Sequence, residues 1–338
     1  MKKRLIYVDF IRILAMLLVV LAHSCASILG AGKHNLNWQI ASGAVVISEV
    51  AVPLFFMISG AMLLNSDRTY SLKYLFLHRL PRIVIPFLVW SVISAFANSA
   101  INTNPPINPW DSIVNIFHQP VLVAYWFVYP LIMLYLLSPL LKGMVDRISD
   151  NLLTYGLILW FIFVILLPDI SQTLPKPWND YFSGYFMGKI VVSQSIGYFL
   201  LGYRLTRERH RRVDPWINSL FILILFYLNV WVSFLAQSKR FSYLHIVSTI
   251  VLPITIILIY TTFRSFEPHL HNWFAKVVEV IAPLTYGVYL LHGIVIFMVE
   301  KYLVHFTHYW QTFGITTAIC LAVIFILHSI PLVRRIFT

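Results

Sequence analysis

Apolar stretches of membrane-spanning length recur along the chain, at about 6–28, 45–64, 83–102, 124–141, 152–168, 190–205, 216–236, 244–263, 277–299 and 311–331. Each approaches the ~20 residues a helix needs to cross the hydrocarbon core. The pattern predicts an all-α polytopic membrane protein of about ten transmembrane helices, with 190–205 the shortest. Short connections leave no segment long and polar enough to fold as an appendage, so residues 1–338 are expected to form a single transmembrane domain. An even number of spans places both termini on one side.

Composition agrees. Hydrophobic residues are 59% of the chain and charged residues 11%, against roughly a quarter charged in soluble domains. The net charge of +12 would suit nucleic acid, but its placement has another origin. With the N-terminus inside, 18 of the 25 Lys and Arg residues fall on the cytoplasmic side and six outside, with Arg12 left within the first span. That is the positive-inside pattern. It predicts both termini cytoplasmic, a multi-pass protein of the cell membrane, and no nucleic-acid partner. Cys25 and Cys320 both sit in apolar stretches, so neither a disulfide framework nor a metal site is expected. Lys2, Lys3 and Arg4 before an apolar run imitate a signal peptide; Asp9 and Arg12 interrupt that run, and the first span is expected to stay.

Ionisable residues inside spans are costly and mark function by default. The first span carries Asp9, Arg12 and His23. Asp9 and Arg12 are three apart on one helical face and can neutralise each other or anchor the helix at the headgroups. His23 lies eleven residues beyond Arg12, about three turns and ~16 Å along the same face. A histidine there can take or give a proton, or simply be hydrogen-bonded between packed helices. His292, in TYGVYLLHG, falls at a similar depth, and Glu49 also enters the outer half. The three could converge, or each could be structural.

The loop between the second and third spans reads RTYSLKYLFLHRLPRIVIP. Arg79 and Arg82 stand where the chain re-enters the membrane, beside Lys73 and His78. Paired guanidinium groups suit phosphate, though anchoring alone would also place arginine there. The outer loops 103–123 and 169–189 are rich in Pro, Asn, Asp, Trp and Tyr. They read as interfacial aromatics or as a sugar-binding rim. The basic run at 204–214 suits a loop attracted to anionic membrane lipid.

These pieces together resemble the acyltransferase-3 family of membrane O-acyltransferases, in particular its surface-polysaccharide branch. The matching segments are VDFIRILAMLLVVLAH (8–23), VPLFFMISGAMLL (52–64), HRLPRIVIPFLVW (78–90), YWFVYPLIMLYLLSPLL (125–141), YFLLGY (198–203), TYGVYLLH (285–292) and PLVRRI (331–336). The resemblance implies transfer of an acyl group, acetyl being the expected one, from cytoplasmic acyl-CoA to a carbohydrate or glycolipid acceptor outside. It implies that Arg12 and His23 are essential, with Asp9, Glu49 and His292 as further catalytic candidates. It implies that Arg79 and Arg82 hold the CoA phosphates. Ser59 and Gly60, in FFxxSG, would let helices approach closely and admit the thin acyl-pantetheine arm. Some family members carry an acid just before the FF, where Pro53 stands here. The role of that acid is then absent or passes to Glu49.

Acyl transfer from a thioester needs a base for the acceptor hydroxyl, a positioned thioester and a stabilised oxyanion. His23 is expected as general base, or as a transient acyl carrier. A secondary transporter or flippase for a polysaccharide precursor is the alternative, since buried Asp, Arg and His also suit a proton relay. No inverted repeat is evident to support it.

Overall fold

The computed structural model describes residues 5–32, 35–101, 108–174, 194–207, 214–237, 239–267, 272–303 and 308–338. Every regular element among them is helical. Among the described residues, nine helices are long and apolar enough to cross a membrane: Ile6–Gly30, Leu36–Leu64, Leu72–Ala100, Val123–Val145, Asp150–Thr173, Pro215–Ala236, His245–Phe266, Asn272–Tyr302 and Tyr309–Ser329. They answer nine of the ten predicted stretches. The tenth corresponds to Gln194–Arg207, with 14 residues, or ~21 Å of helix against a hydrocarbon core of ~30 Å. The start of that stretch lies outside the described residues, as do most of the 169–189 loop and parts of 103–123 and 204–214.

Two spans begin well before their apolar cores. The second starts at Leu36, where the Asn35 side chain accepts a hydrogen bond from Trp38 N at 2.9 Å and caps the helix. It is then interrupted between Ser48 and Ala51, so Glu49 stands at a break and not within continuous helix. The third begins at Leu72, capped by Ser71, and passes through one wide turn over Leu75–Arg79. There Leu80 N donates to Leu75 O at 2.9 Å, a bond five residues back. Pro81 follows at the first position of Pro81–Ile101, where its missing N–H costs nothing. Such π turns insert one residue and re-aim the side chains beside them.

The chain divides into two compact units. The first comprises Met1–Ile11, Val52–Tyr70 and Ser138–His271. Among its described residues, a very close contact joins α1 (Ala51–Leu64) and α2 (Gln194–Arg207). A Cβ at Gly60 would stand 1.8 Å from the carbonyl oxygen of Phe199, and one at Gly202 would stand 2.0 Å from that of Met57. Backbone meets backbone there, which only glycine allows. Pro215–Ala236 packs on His245–Phe266, and Tyr7 meets Tyr260 edge to face at 5.8 Å. At the edge of this unit the buried Lys142 ammonium donates to Asp146 at 2.9 Å, and the Tyr70 hydroxyl donates to the same carboxylate at 2.7 Å.

The second unit comprises Arg12–Ala51, Ser71–Leu137 and Asn272–Thr338. At its centre lies α3 (Thr285–Tyr302), packed against α4 (Pro81–Ile101) and α5 (Tyr309–Ser329). In the span that contains α3, 67% of the most apolar window is buried, against 11% in Pro215–Ala236. A helix apolar all round that is also enclosed by protein is a core helix, so His292 sits at the heart of this unit. The terminal helix α6 (Pro331–Phe337) closes the bundle, with Trp90 Nε1 donating to the Phe337 carbonyl at 3.1 Å.

Candidate active site

The second unit brings His23 and His292 together. Their ring centroids are 5.2 Å apart, tilted by 38°. His23 occupies the last turn of Ile6–Ser24, half-buried, and His292 is completely buried. The Nδ1 of His292 is hydrogen-bonded to the Tyr289 carbonyl one turn back. A carbonyl only accepts, so Nδ1 carries the hydrogen, and a neutral imidazole then presents Nε2 as a bare acceptor. That nitrogen has no hydrogen-bond partner among the described residues. A bare, buried imidazole nitrogen beside a second imidazole makes a pair of rings able to pass a proton between them.

Tyrosines fix α3 on either side of this pair. The Tyr125 hydroxyl donates to the Leu290 carbonyl at 2.5 Å and lies 2.7 Å from Ser94 Oγ. The carbonyl takes the tyrosine's hydrogen, so the serine donates to the tyrosine. The Tyr289 hydroxyl bonds the Ala124 carbonyl, and its ring lies 5.5 Å from the His292 ring and 4.5 Å from Phe127. Tyr286 stacks on Tyr289 at 6.5 Å with rings nearly parallel, and its hydroxyl donates to the Ile83 carbonyl at 2.9 Å. Hydrogen bonds to main-chain carbonyls hold these rings in single positions, so the histidine between them is held too.

The tyrosine column leads to the arginines. Tyr286 is within electrostatic reach of Tyr135, and Tyr135 is within reach of Arg12, Arg79 and Arg82 together. Cations from two distant parts of the sequence therefore act electrostatically on one phenol. Arg79 is half-buried and its guanidinium lies 5.4 Å from the centre of the Tyr74 ring, on which His78 stacks at 4.8 Å. Arg82 is exposed, and the wide turn at Leu75–Arg79 sets the angle between the two. From this cluster to the histidine pair the first span covers eleven residues, ~16 Å.

Of the nine residues expected to act, five fall in these two linked groups: Arg12, Arg79 and Arg82 in one, His23 and His292 in the other. Glu49 belongs to the same unit, exposed at the break after Ser48, and no hydrogen bond or ion pair reaches its carboxylate among the described residues. Asp9, Ser59 and Gly60 belong to the first unit. Asp9 is buried at 6% exposure, Ser59 is half-buried, and the space before Gly60 is filled by the backbone at Phe199. Sequence reasoning passed over the tyrosines. Tyr286, Tyr289 and His292 recur every three residues, a helical face that could have been read as one stripe.

Cations, phenols and imidazoles thus share the second unit of an all-helical chain with nine candidate membrane spans among its described residues, and such groups are chemically able to exchange a proton with a reacting group. Residues 5–329 match the family model described as an acyltransferase domain, and the chain belongs to that family, acyltransferase-3. Membership supports a membrane acyltransferase and lends nothing to the transporter alternative. No curated protein and no solved structure matches the chain.

Proposed function

We propose that the protein is a membrane O-acyltransferase of surface carbohydrate, using acyl-CoA, with acetyl-CoA the donor of choice. The observation that carries this reading is the His23–His292 pair with one open ring nitrogen, in the same compact unit as Arg12, Arg79 and Arg82.

The CoA phosphates and pyrophosphate engage Arg79 and Arg82 at the cytoplasmic rim, where guanidinium forks offer paired donors. The side assignment rests on the positive-inside count. The pantetheine arm is a thin chain suited to the path beside Arg12 and the tyrosines. It brings the thioester to the histidines, while the acceptor hydroxyl arrives from the opposite face. One imidazole takes the hydroxyl proton as its oxygen bonds the thioester carbonyl carbon. The tetrahedral adduct then expels the CoA thiolate, which recovers a proton, and an ester remains on the acceptor. His23 is the base in this scheme, because it is half-buried whereas His292 is completely enclosed, and the bare Nε2 of His292 is left to accept from the ring beside it. His292, fixed by Tyr289, orients it or shares its proton. No metal enters the scheme.

The test is transfer of label from [14C]acetyl-CoA to carbohydrate in purified, lipid-reconstituted protein. A positioned general base contributes about 10²–10⁴ in rate, so His23→Ala is expected to lose that factor at unchanged expression. Wild-type turnover in His23→Ala would end the assignment of the base.

A further inference from the structure

A second feature of the same unit lies beyond the histidines, at the end away from the arginines. A cavity of about 190 Å³ is lined by Ser27, Val299, Glu300, His308 and Thr312, among others. Ser27 is one turn past His23, and Val299 is seven residues, two turns or ~10 Å, past His292. Both helices therefore run from the histidine pair to the walls of this cavity.

Its polar groups are unfinished. Glu300 Oε1 is buried with no hydrogen-bond partner among the described residues, and Gln311 Oε1 and Thr316 Oγ1, beside and one turn after Thr312, are likewise unpaired. Buried polar atoms are normally satisfied, so the unpaired Glu300 oxygen in the cavity wall, with two more on the helix that carries Thr312, marks a place where a ligand or water completes the set. His308 and Trp310 add stacked rings, with Trp310 exposed. The lining offers a carboxylate oxygen and a hydroxyl as acceptors, a hydroxyl and an imidazole as donors, and an aromatic face nearby. The volume is below the ~300–1,000 Å³ taken by drug-sized ligands, and suits one small ring rich in hydroxyls.

We propose that this cavity is the acceptor subsite, in which Glu300 and Thr312 hydrogen-bond hydroxyls of a sugar unit adjoining the one acylated at His23. The inference rests on the acyltransferase reading, and it adds residues to which neither the family match nor the acyl donor gives a role. Glu300 is a positioning and specificity residue here, about two turns from the reacting atoms.

Two readouts separate the halves of the reaction. The first is slow release of CoA thiol from acetyl-CoA by purified protein without acceptor, which needs only the donor half. The second is alkali-labile [14C]acetyl ester formed on carbohydrate of membranes that contain the native acceptor. Glu300→Gln keeps the shape and removes the charge, and Thr312→Leu fills the cavity from the opposite wall. Both variants are expected to hold thiol release within twofold and to lower ester formation at least tenfold, whereas His23→Ala loses both. If Glu300→Gln and Thr312→Leu form ester at the wild-type rate, the acceptor assignment is overturned while the enzyme reading stands. If Glu300→Gln loses both readouts, Glu300 serves the donor half or the fold, and the assignment is again overturned. If the wild type itself shows neither thiol release nor ester, the acyltransferase reading fails and takes this inference with it.

Discussion

Substituting alanine for Gly60 tests a contact of main chain against main chain. The added Cβ would stand 1.8 Å from Phe199 O and 2.6 Å from Phe199 C. Ordinary contact begins near 3.4 Å, so the two helices must part by more than 1 Å at this crossing. The opposing atoms are main chain and have no rotamer into which to retreat. Overpacking of a rigid site costs about 1–3 kcal/mol, and the upper end is expected because Gly202 makes the reciprocal approach to Met57 one turn away on the same helix pair. Gly156→Ala is the matched control: it is exposed in the helix Asp150–Trp160, with nothing within 4 Å of its Cβ. There alanine is expected to gain ~0.5–1 kcal/mol from helix propensity alone. The assay is the apparent unfolding midpoint of purified protein in one detergent, followed by fluorescence-detected size exclusion, with all three proteins run side by side. A Gly60→Ala protein as stable as wild type, or as stabilised as Gly156→Ala, would refute the backbone-contact argument.

Three further predictions follow from the two units. Arg79→Gln and Arg82→Gln are expected to raise KM for acetyl-CoA about 10–100-fold each, the worth of a charge-assisted hydrogen bond of ~1.5–3 kcal/mol, with little change in kcat; a KM unchanged from wild type counts against phosphate binding there. Tyr125→Phe removes the hydroxyl that joins Ser94 to the Leu290 carbonyl and is expected to cost ~1–2 kcal/mol of stability, read as a lowered unfolding midpoint with the protein still folded. Asp146→Asn is expected to cost ~1–2 kcal/mol, discounted because the side chain is 31% exposed. Burial works against the Asp146 carboxylate, but hydrogen bonds from Lys142 and Tyr70 outweigh it and hold its pKa below the ordinary 3.8. A carboxyl lowered in the folded state contributes fully above its unfolded pKa and loses that contribution as pH falls through the folded value. The stability gap between wild type and Asp146→Asn should thus be constant at neutral pH and close as the pH drops below about 4; a gap that widens in acid would contradict the sign.

Class and span positions were legible because the hydrocarbon core imposes them one residue at a time: about twenty apolar residues make a span wherever they fall. The helix beginning at Leu36 and the wide turn at Leu75–Arg79 were not, because caps and π turns are set by hydrogen bonds outside the apolar run. Within one helix, spacing alone put Arg12 and His23 on a common face. Between helices it was silent. Lipid tails are as apolar as a protein core, so a span can be apolar all round and its pattern then does not mark the face turned inward. Only the packing of the second unit could select His292 as the partner of His23 and leave Glu49 exposed at a helix break. Packing also decided that Arg12, Arg79 and Arg82 all act electrostatically on Tyr135, since nearness of residues far apart in the chain is a property of helix contacts. The sequence by itself determined which residues are expensive to place in a membrane; the tertiary structure decided which of them share the expense.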